Sequence, residues 1–377
     1  MLKLLQAILL LSGMIIGVGM FAIPFSFVQS GFLPGAIELI VLSCAVTMLH
    51  LLYGEIVLAT PEFHRMPGYI RAYLGRGATK ISWASTLFGT IGTLLAYLVV
   101  GSLFVQTVFG PVGAGTHINI FAIGLVCIVG LITFFPLKKE SAINSVLTVF
   151  EIAFIALLSL LLLPNISLPN FSAMRARDLF APYGVLLFAL SGAGVIPDVV
   201  TVLGRNKKMV RIAIITGSLI PAALYLLFAF AVVGVSGVGT STEAIVGLQR
   251  TFGNNIALWA SAVGFLAVLT SFVALSANFQ ALLSLDLAMP RRFAWLAASA
   301  IPFVLYLAGF QNFIAIISIV GVVAFGVDAI LFLLMGRSVR RMQGQKSTLA
   351  SITGFAILAV LLVGVFAELL RFLNGKV

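Results

Sequence analysis

The sequence predicts an all-α integral membrane protein with about eleven transmembrane helices. Long uncharged apolar runs recur along the whole chain, charged residues make up only 9% of it, and its basic residues gather in alternate connections between the runs. A soluble domain carries about 25% charged residues. The shortfall, with a mean hydropathy of +1.20, sets most of the outer surface against lipid.

A run of about 20 apolar residues crosses a bilayer as a helix, because every backbone polar group must be satisfied within the span. On that rule spans fall near 4–29, 34–58, 82–109, 117–136, 141–163, 180–203, 212–235, 255–285, 293–309, 312–335 and 348–370. The first run holds one charge, Lys3, is too long for the hydrophobic region of a signal peptide, and is followed by no Ala-x-Ala pattern. It therefore reads as a span. Two connections read as more than turns. Thr60 to Lys80 interleaves Tyr69, Ile70, Tyr73 and Leu74 with basic residues, the pattern of a short amphipathic helix on a membrane face. Ser241 to Phe252 reads as a capping helix on the opposite face.

Basic residues set the orientation, because cytoplasmic loops are rich in Lys and Arg. With the N-terminus inside, Lys3, Arg65, Arg71, Arg76, Lys80, Lys138, Lys139, Arg205, Lys207, Lys208, Arg211, Arg291, Arg292, Arg337, Arg340, Arg341 and Lys346 all fall on the cytoplasmic side. Only Arg175, Arg177, Arg250, Arg371 and Lys376 fall outside. The expectation is a multi-pass protein of the cell membrane with its C-terminus outside. The net charge of +11 then reflects loop bias and not a nucleic-acid surface, which needs a basic patch on a folded soluble face.

Chemistry is sparse. Cys44 and Cys127 lie singly inside apolar runs and read as small buried hydrophobes, with no disulfide, metal or cofactor implied. The chain has no HExxH or GxSxG motif, and its three histidines, His50, His64 and His117, are far apart in sequence. An enzyme is not expected.

The most informative pattern is two interrupted spans. The first contains GMIIGVGMFAIP, with Gly13, Gly17, Gly19 and Pro24; the sixth contains FALSGAGVIPD, with Ser191, Gly192, Gly194 and Pro197. In both, Gly-x-Gly precedes a proline by a few residues near mid-span. Relative to Ala, Gly costs about 1 kcal/mol and Pro about 3 kcal/mol inside a helix, so both spans are expected to unwind there. Unwound backbone at mid-membrane is tolerated only where it is buried in protein or lines a cavity. The two spans enter from opposite sides with five spans per repeat, the pattern of an inverted-repeat transporter. The repeats run from about 4 to 163 and 180 to 335, with an additional helix at 348–370, all in one domain covering 1–377. Close packing through small residues is the alternative use of such glycines.

The runs IIGVGMFAIPFSFVQSGFLPG (Ile15 to Gly35) and LLYGEIVLATPEFHRMPGYIRAYLG (Leu51 to Gly75) resemble the opening of bacterial and archaeal amino-acid permeases. The nearest group is the aromatic amino-acid and auxin permeases, including tryptophan/tyrosine permeases, of the amino acid–polyamine–organocation superfamily. FALSGAGVIPD and LTSF (Leu269 to Phe272) resemble that superfamily's sixth and eighth spans. The resemblance covers most of the chain, strongly over the first 75 residues and weakly after about 290. It implies the leucine-transporter fold, with discontinuous helices 1 and 6, and symport of an amino acid across the bilayer.

Carried over residue by residue, the resemblance implies a substrate site. Main-chain groups of Gly17, Val18 and Gly19 would take the carboxylate; Phe188, Ala189, Leu190, Ser191 and Gly192 would face the ammonium and side chain, with Phe188 a gating aromatic. Tyr97 is placed near the substrate, and Met20, Phe21, Leu190 and Val195 would line an apolar pocket. Neither break carries an acid or base, which favours a neutral, hydrophobic or aromatic amino acid. A cation site is implied at the carbonyls of Gly13, Ile16 and Ala267 with the hydroxyls of Thr270 and Ser271, an oxygen set suited to Na⁺; back-bonding of Thr270 and Ser271 to their own helix is the alternative.

Ionisable groups inside a membrane are usually functional or paired. Glu151, mid-way along the fifth span, is the candidate proton carrier, whereas Glu38, Glu55, Asp198, Asp286, Asp328 and Glu368 lie nearer span ends. His50 reads as structural. Coupling to Na⁺ or to H⁺ both remain open. A nucleobase, polyamine or ion carrier on the same fold is the first rival reading, though a polyamine would need acids at the breaks. A non-transporting scaffold is the second.

Overall fold

Proline and glycine decide where the first span breaks. In the computed structural model, which describes residues 1–109, 118–135, 140–172, 178–343 and 348–373, α1 (Leu2–Ile15) stops at Ile16 and Gly17, both extended. A 3-10 turn over Val18–Ala22 follows, and α2 (Ile23–Ser30) starts with Pro24 in its first turn. Proline fits there because the first-turn amides have no helical acceptor. The axis bends by 51° across the break. The sixth span repeats the solution: α7 (Tyr183–Ala189), a 3-10 turn over Ala193–Val195, then α8 (Ile196–Val202) with Pro197 in its first turn.

Between them run α3 (Phe32–Ala59), α4 (Met66–Phe109), α5 (Ile118–Phe134) and α6 (Glu140–Leu162). After α8 come α9 (Lys207–Ser236), the short α10 (Gln249–Phe252), α11 (Asn254–Ala281), α12 (Arg291–Leu307), α13 (Phe313–Val320), α14 (Gly326–Met342) and α15 (Thr348–Leu373). A π-helical segment, Gly321–Phe325, joins α13 to α14. Gly75, at φ 79°, kinks α4 and separates the segment from Met66 from the span that follows. Tyr69 and Ile70 are buried there while Arg71 and Arg76 are exposed, as the amphipathic pattern predicts. In the 241–252 segment Ala244, Ile245 and Leu248 are fully buried.

Among the described residues, helix stands at each position where the sequence places a span. Seven stretches of the described residues are long and apolar enough to cross a membrane, and the bent pair of Leu2–Ile15 with Val18–Ser30 raises this to eight. Asn119–Phe134 and Ile357–Glu368 are apolar but shorter, and α12 is 17 residues long, so length and composition give a coarser number than eleven. Lys138, Lys139, Arg175, Arg177, His117, Lys346 and Lys376 lie outside the described residues.

The exterior is apolar and the interior is partly polar. Ile37, Ile40, Leu157, Leu161 and Phe366 are exposed, whereas Ser12, His50, Ser102 and Ser159 are fully buried. A lipid-facing surface requires the first set, and in the second the three serine hydroxyls donate to backbone carbonyls. His50 Nδ1 lies 3.1 Å from the Ser218 hydroxyl, a structural pairing of α3 with α9. Cys44 and Cys127 are exposed, not buried as the sequence suggests; apolar neighbours in sequence mark a lipid-facing side as readily as a core. The broken spans occupy the centre. α1 packs on α6, α8 and α9, and α7 packs on α13 and the π segment.

Candidate functional site

The two breaks touch. A Cβ on Gly19 would stand 2.8 Å from Phe188 Cδ1 and 3.0 Å from the Ala189 Cα, so glycine is what lets the first break lie against the second. On the far side of α7, Gly321 of the π segment would drive a Cβ into the Gly184 carbonyl and to 2.8 Å from the Phe188 amide nitrogen. α7 is thus held between two glycine contacts.

Two tyrosines meet the unwound backbone. The Tyr225 hydroxyl, fully buried on α9, donates to the Ile15 carbonyl at 2.7 Å and lies 3.2 Å from the Ala189 carbonyl. The Gly17 main chain also faces its oxygen. The Tyr97 hydroxyl on α4 faces the Val18 main chain and the Ser271 side chain, and a Cβ on Gly17 would stand 2.8 Å from it. Its ring stacks on Phe272 with centroids 6.1 Å apart. Sequence reasoning placed Tyr97 here and missed Tyr225. The available signal was Gly217, Pro221 and Tyr225, small and polar residues four apart on one helix face.

The residues expected to hold a cation divide. Thr270 donates to the Ala267 carbonyl at 2.9 Å, which is the back-bonded alternative. Ser271 donates to Glu151 Oε1 at 3.2 Å. Gly13 lies against Thr148. Ile16 and Ala267 line a small void of about 10 Å³ with Met20 and Phe21. Glu151, from α6, is only 7% exposed and reaches the place where the sequence puts cation ligands, so the candidate proton carrier and the candidate cation hydroxyl form one unit.

A cavity of about 380 Å³ begins at the breaks. Gly13, Gly17, Val18, Gly19, Tyr97, Glu151, Phe188, Ala189, Ser191, Val195, Thr270 and Ser271 all line it. Leu190 and Gly192 do not: Leu190 is 2% exposed, and Gly192 packs against Ile15 and Leu11. Met20 and Phe21 also lie outside it, in the small void. The cavity extends along Thr93, Thr90 and Thr86 of α4 to Arg65 and Asp328, residues the sequence did not single out as site residues. At that end Arg65 pairs with Asp198 at 3.2 Å. On the opposite side Phe21 meets Phe104 and Phe228 edge-on at 5.1 and 6.5 Å. A Cβ on Gly264 would stand 3.0 Å from Phe104 and 3.2 Å from Ile245 of the 241–252 segment. The cavity is therefore open toward the face of the 60–80 segment and closed by aromatics toward the other. Among the described residues, no group of three or more His, Cys, Asp or Glu side chains is placed to hold a metal ion.

Broken helices meeting at a cavity that opens to one face define a multi-span membrane transporter. The chain belongs to the tryptophan/tyrosine permease family, whose model matches residues 1–371. It is an amino-acid transporter, not an enzyme. It is 25% identical over 280 residues, 72% of each chain, to glutamine transporter 2 of Aliivibrio fischeri. Among solved structures it resembles MhsT in complex with L-phenylalanine, with a TM-score of 0.67 and 14% identity over 97% of this chain and 98% of that one. It also resembles a mutant of the Eremococcus coleocola manganese transporter, with a TM-score of 0.70 and 13% identity over 97% and 86%. The fold is the leucine-transporter type expected from the resemblance.

Proposed function

We propose that the protein is a symporter of neutral amino acids with hydrophobic or aromatic side chains, working by alternating access across the cell membrane. The observation that carries this reading is the cavity that starts where the two breaks touch and runs to the face that carries Arg65. Eleven spans, two five-span inverted repeats and a cytoplasmic N-terminus complete the proposal, and the open face is then the cytoplasmic one. Amides of Gly17, Val18 and Gly19 take the substrate carboxylate, displacing the hydroxyls of Tyr225 and Tyr97 that face Gly17 and Val18 here. The carbonyl ends of α1 and α7 carry the negative end of each helix dipole and attract the ammonium. Phe188, at the contact of the breaks, covers the side chain.

The coupling ion is Na⁺ or H⁺, taken at Glu151 and Ser271. Their 3.2 Å contact supports a carboxylate that holds either a proton or, with neighbouring oxygens, a hard cation. A second substrate reading has its own support. Thr90, Thr93 and Asn278 line the cavity and would suit a neutral amide side chain, and the Aliivibrio fischeri relative is a glutamine transporter.

The test is a thermal-shift screen of the purified protein against the twenty amino acids in Na⁺ and in choline buffer. A ligand at a hundredfold excess over Kd adds about 2.7 kcal/mol. A shift for phenylalanine, tyrosine or tryptophan supports the first reading, and a shift for glutamine alone supports the second. No shift for any amino acid in either buffer would sink both.

A further inference from the structure

The cavity holds a second carboxylate that neither the breaks nor the Glu151–Ser271 pair uses. Asp328, in the first turn of α14, lines it. The Ser85 hydroxyl of α4 lies 2.9 Å from Asp328 Oδ1 and 3.0 Å from the Ala324 carbonyl. One hydroxyl proton serves both acceptors, so the carboxylate is pinned but not neutralised. Arg65 also lines the cavity, yet it is paired with Asp198, and among the described residues no ion pair involves Asp328. An intramembrane carboxylate without a cationic partner is costly and most often marks an ion or substrate path.

A track of hydroxyls joins Asp328 to the breaks. Thr86, Thr90, Thr93 and Tyr97 all line the cavity. At 3.6 residues per turn they fall within an arc of about 60° on α4, and Thr86 to Tyr97 rises about 16 Å. The lower end of this face adjoins Ser85, the hydrogen-bond partner of Asp328. The upper end adjoins Ser271, the partner of Glu151. Hydroxyl and carboxylate oxygens without sulfur or imidazole suit hard, compact positive charge.

We propose that Asp328 is a second cation-binding station of the cavity, which takes one compact positive charge between the breaks and the face that carries Arg65. That charge is a monovalent metal ion or the ammonium group of an amino acid. The inference rests on the cavity being the passage described under the proposed function. Asp328 holds the charge after it leaves Glu151 or the helix ends and before it enters water.

The test reads local charge selectivity and needs no transport. Thr86→Cys is placed in the full chain carrying Cys44→Ala and Cys127→Ala. Its rates of reaction with cationic, anionic and neutral methanethiosulfonates are then compared. The cation-to-anion rate ratio, each rate normalised to the neutral reagent, is expected to fall about tenfold in Asp328→Asn, which keeps an acceptor for Ser85. It should recover in Asp328→Glu and stay unchanged in Ser85→Ala, which removes the pin but keeps the charge. Glu151→Gln, higher on the track, should change it far less. Sodium chloride and methylammonium chloride, each against choline chloride at equal ionic strength, distinguish the sources. Slowing of the cationic reagent by sodium alone identifies a metal ion, and slowing by methylammonium alone identifies an ammonium group. An unchanged ratio in Asp328→Asn, or protection by neither salt, overturns the station. If the neutral reagent fails to react at Thr86→Cys, the passage itself is refuted along with the station.

Discussion

The Tyr225 hydroxyl donates to the carbonyl of Ile15 at 2.7 Å and lies 3.2 Å from that of Ala189. Ile15 and Ala189 are the last residues of α1 and α7, so one side chain of α9 meets both orphan carbonyls where the helices stop. The last carbonyls of a helix have no intrahelical partner. Burying them without one costs about 1–3 kcal/mol each.

Tyr225→Phe is therefore expected to destabilise the protein by about 1–3 kcal/mol and to weaken substrate binding as well, because the hydroxyl holds in place the two helix ends that frame the ammonium subsite. Melting curves with and without an amino acid found in the screen measure both. A variant that melts and binds like the parent would show that the hydroxyl holds neither helix end.

The approach of Gly17 to Tyr97 makes a paired prediction. A Cβ at Gly17 would stand 2.8 Å from the Tyr97 hydroxyl oxygen, closer than ordinary van der Waals contact. Gly17→Ala should abolish uptake by displacing Tyr97 from Val18 and Ser271. Adding Tyr97→Phe removes the colliding oxygen and should restore ligand-induced stabilisation in part. Residues in contact couple by about 0.5–3 kcal/mol in double-mutant cycles. Additive effects of the two changes would break the proposed contact.

The positions of these elements were legible in the sequence to different degrees. The breaks were visible because Gly-x-Gly and proline act locally on backbone conformation, and Pro24 and Pro197 each start the returning half-helix. Gly17 and Tyr97 could be set near one another because the family resemblance put both beside the substrate. Tyr225 and Asp328 could not, since their roles come from other spans: the carbonyls of Ile15 and Ala189 in one case, Ser85 in the other. Leu190 and Gly192 are absent from the cavity lining. They lie within the break, but Gly192 packs on Ile15 and Leu11 of α1 and Leu190 is buried in the core, contacts that come from other spans and that composition does not reveal. The pairing of Ser271 with Glu151 was likewise hidden, since nothing local says that a serine of α11 faces a carboxylate of α6.

Gly321 predicts a packing defect that reaches the break. Its Cβ position is occupied by the Gly184 carbonyl and lies 2.8 Å from the Phe188 nitrogen, and both are backbone atoms that cannot rotate away. Overpacking of this kind costs about 1–3 kcal/mol, occasionally more. Gly321→Ala should lower the melting temperature, and uptake by the protein that still folds should fall as α7 shifts. Normal melting with normal uptake would mean that the π segment yields without disturbing the break.

Glu151 offers the sharpest separation of binding from coupling. Gln at this position keeps a carbonyl oxygen to accept from Ser271, so the local structure should survive and the melting temperature should change little. What it loses is the negative charge, and with it the ability to take up a proton or to neutralise a cation. In proteoliposomes, Glu151→Gln is expected to exchange labelled for unlabelled substrate across the membrane while failing to accumulate it against a gradient. Exchange needs only the loaded carrier to reorient, whereas accumulation needs the ion to move with the substrate. Driving parent uptake by a Na⁺ gradient at equal pH, then by a pH gradient in choline, identifies the ion that the carboxylate serves. Concentrative uptake by Glu151→Gln equal to the parent would remove the residue from the coupling site. It would leave the pairing with Ser271 as a link between α6 and α11 and nothing more.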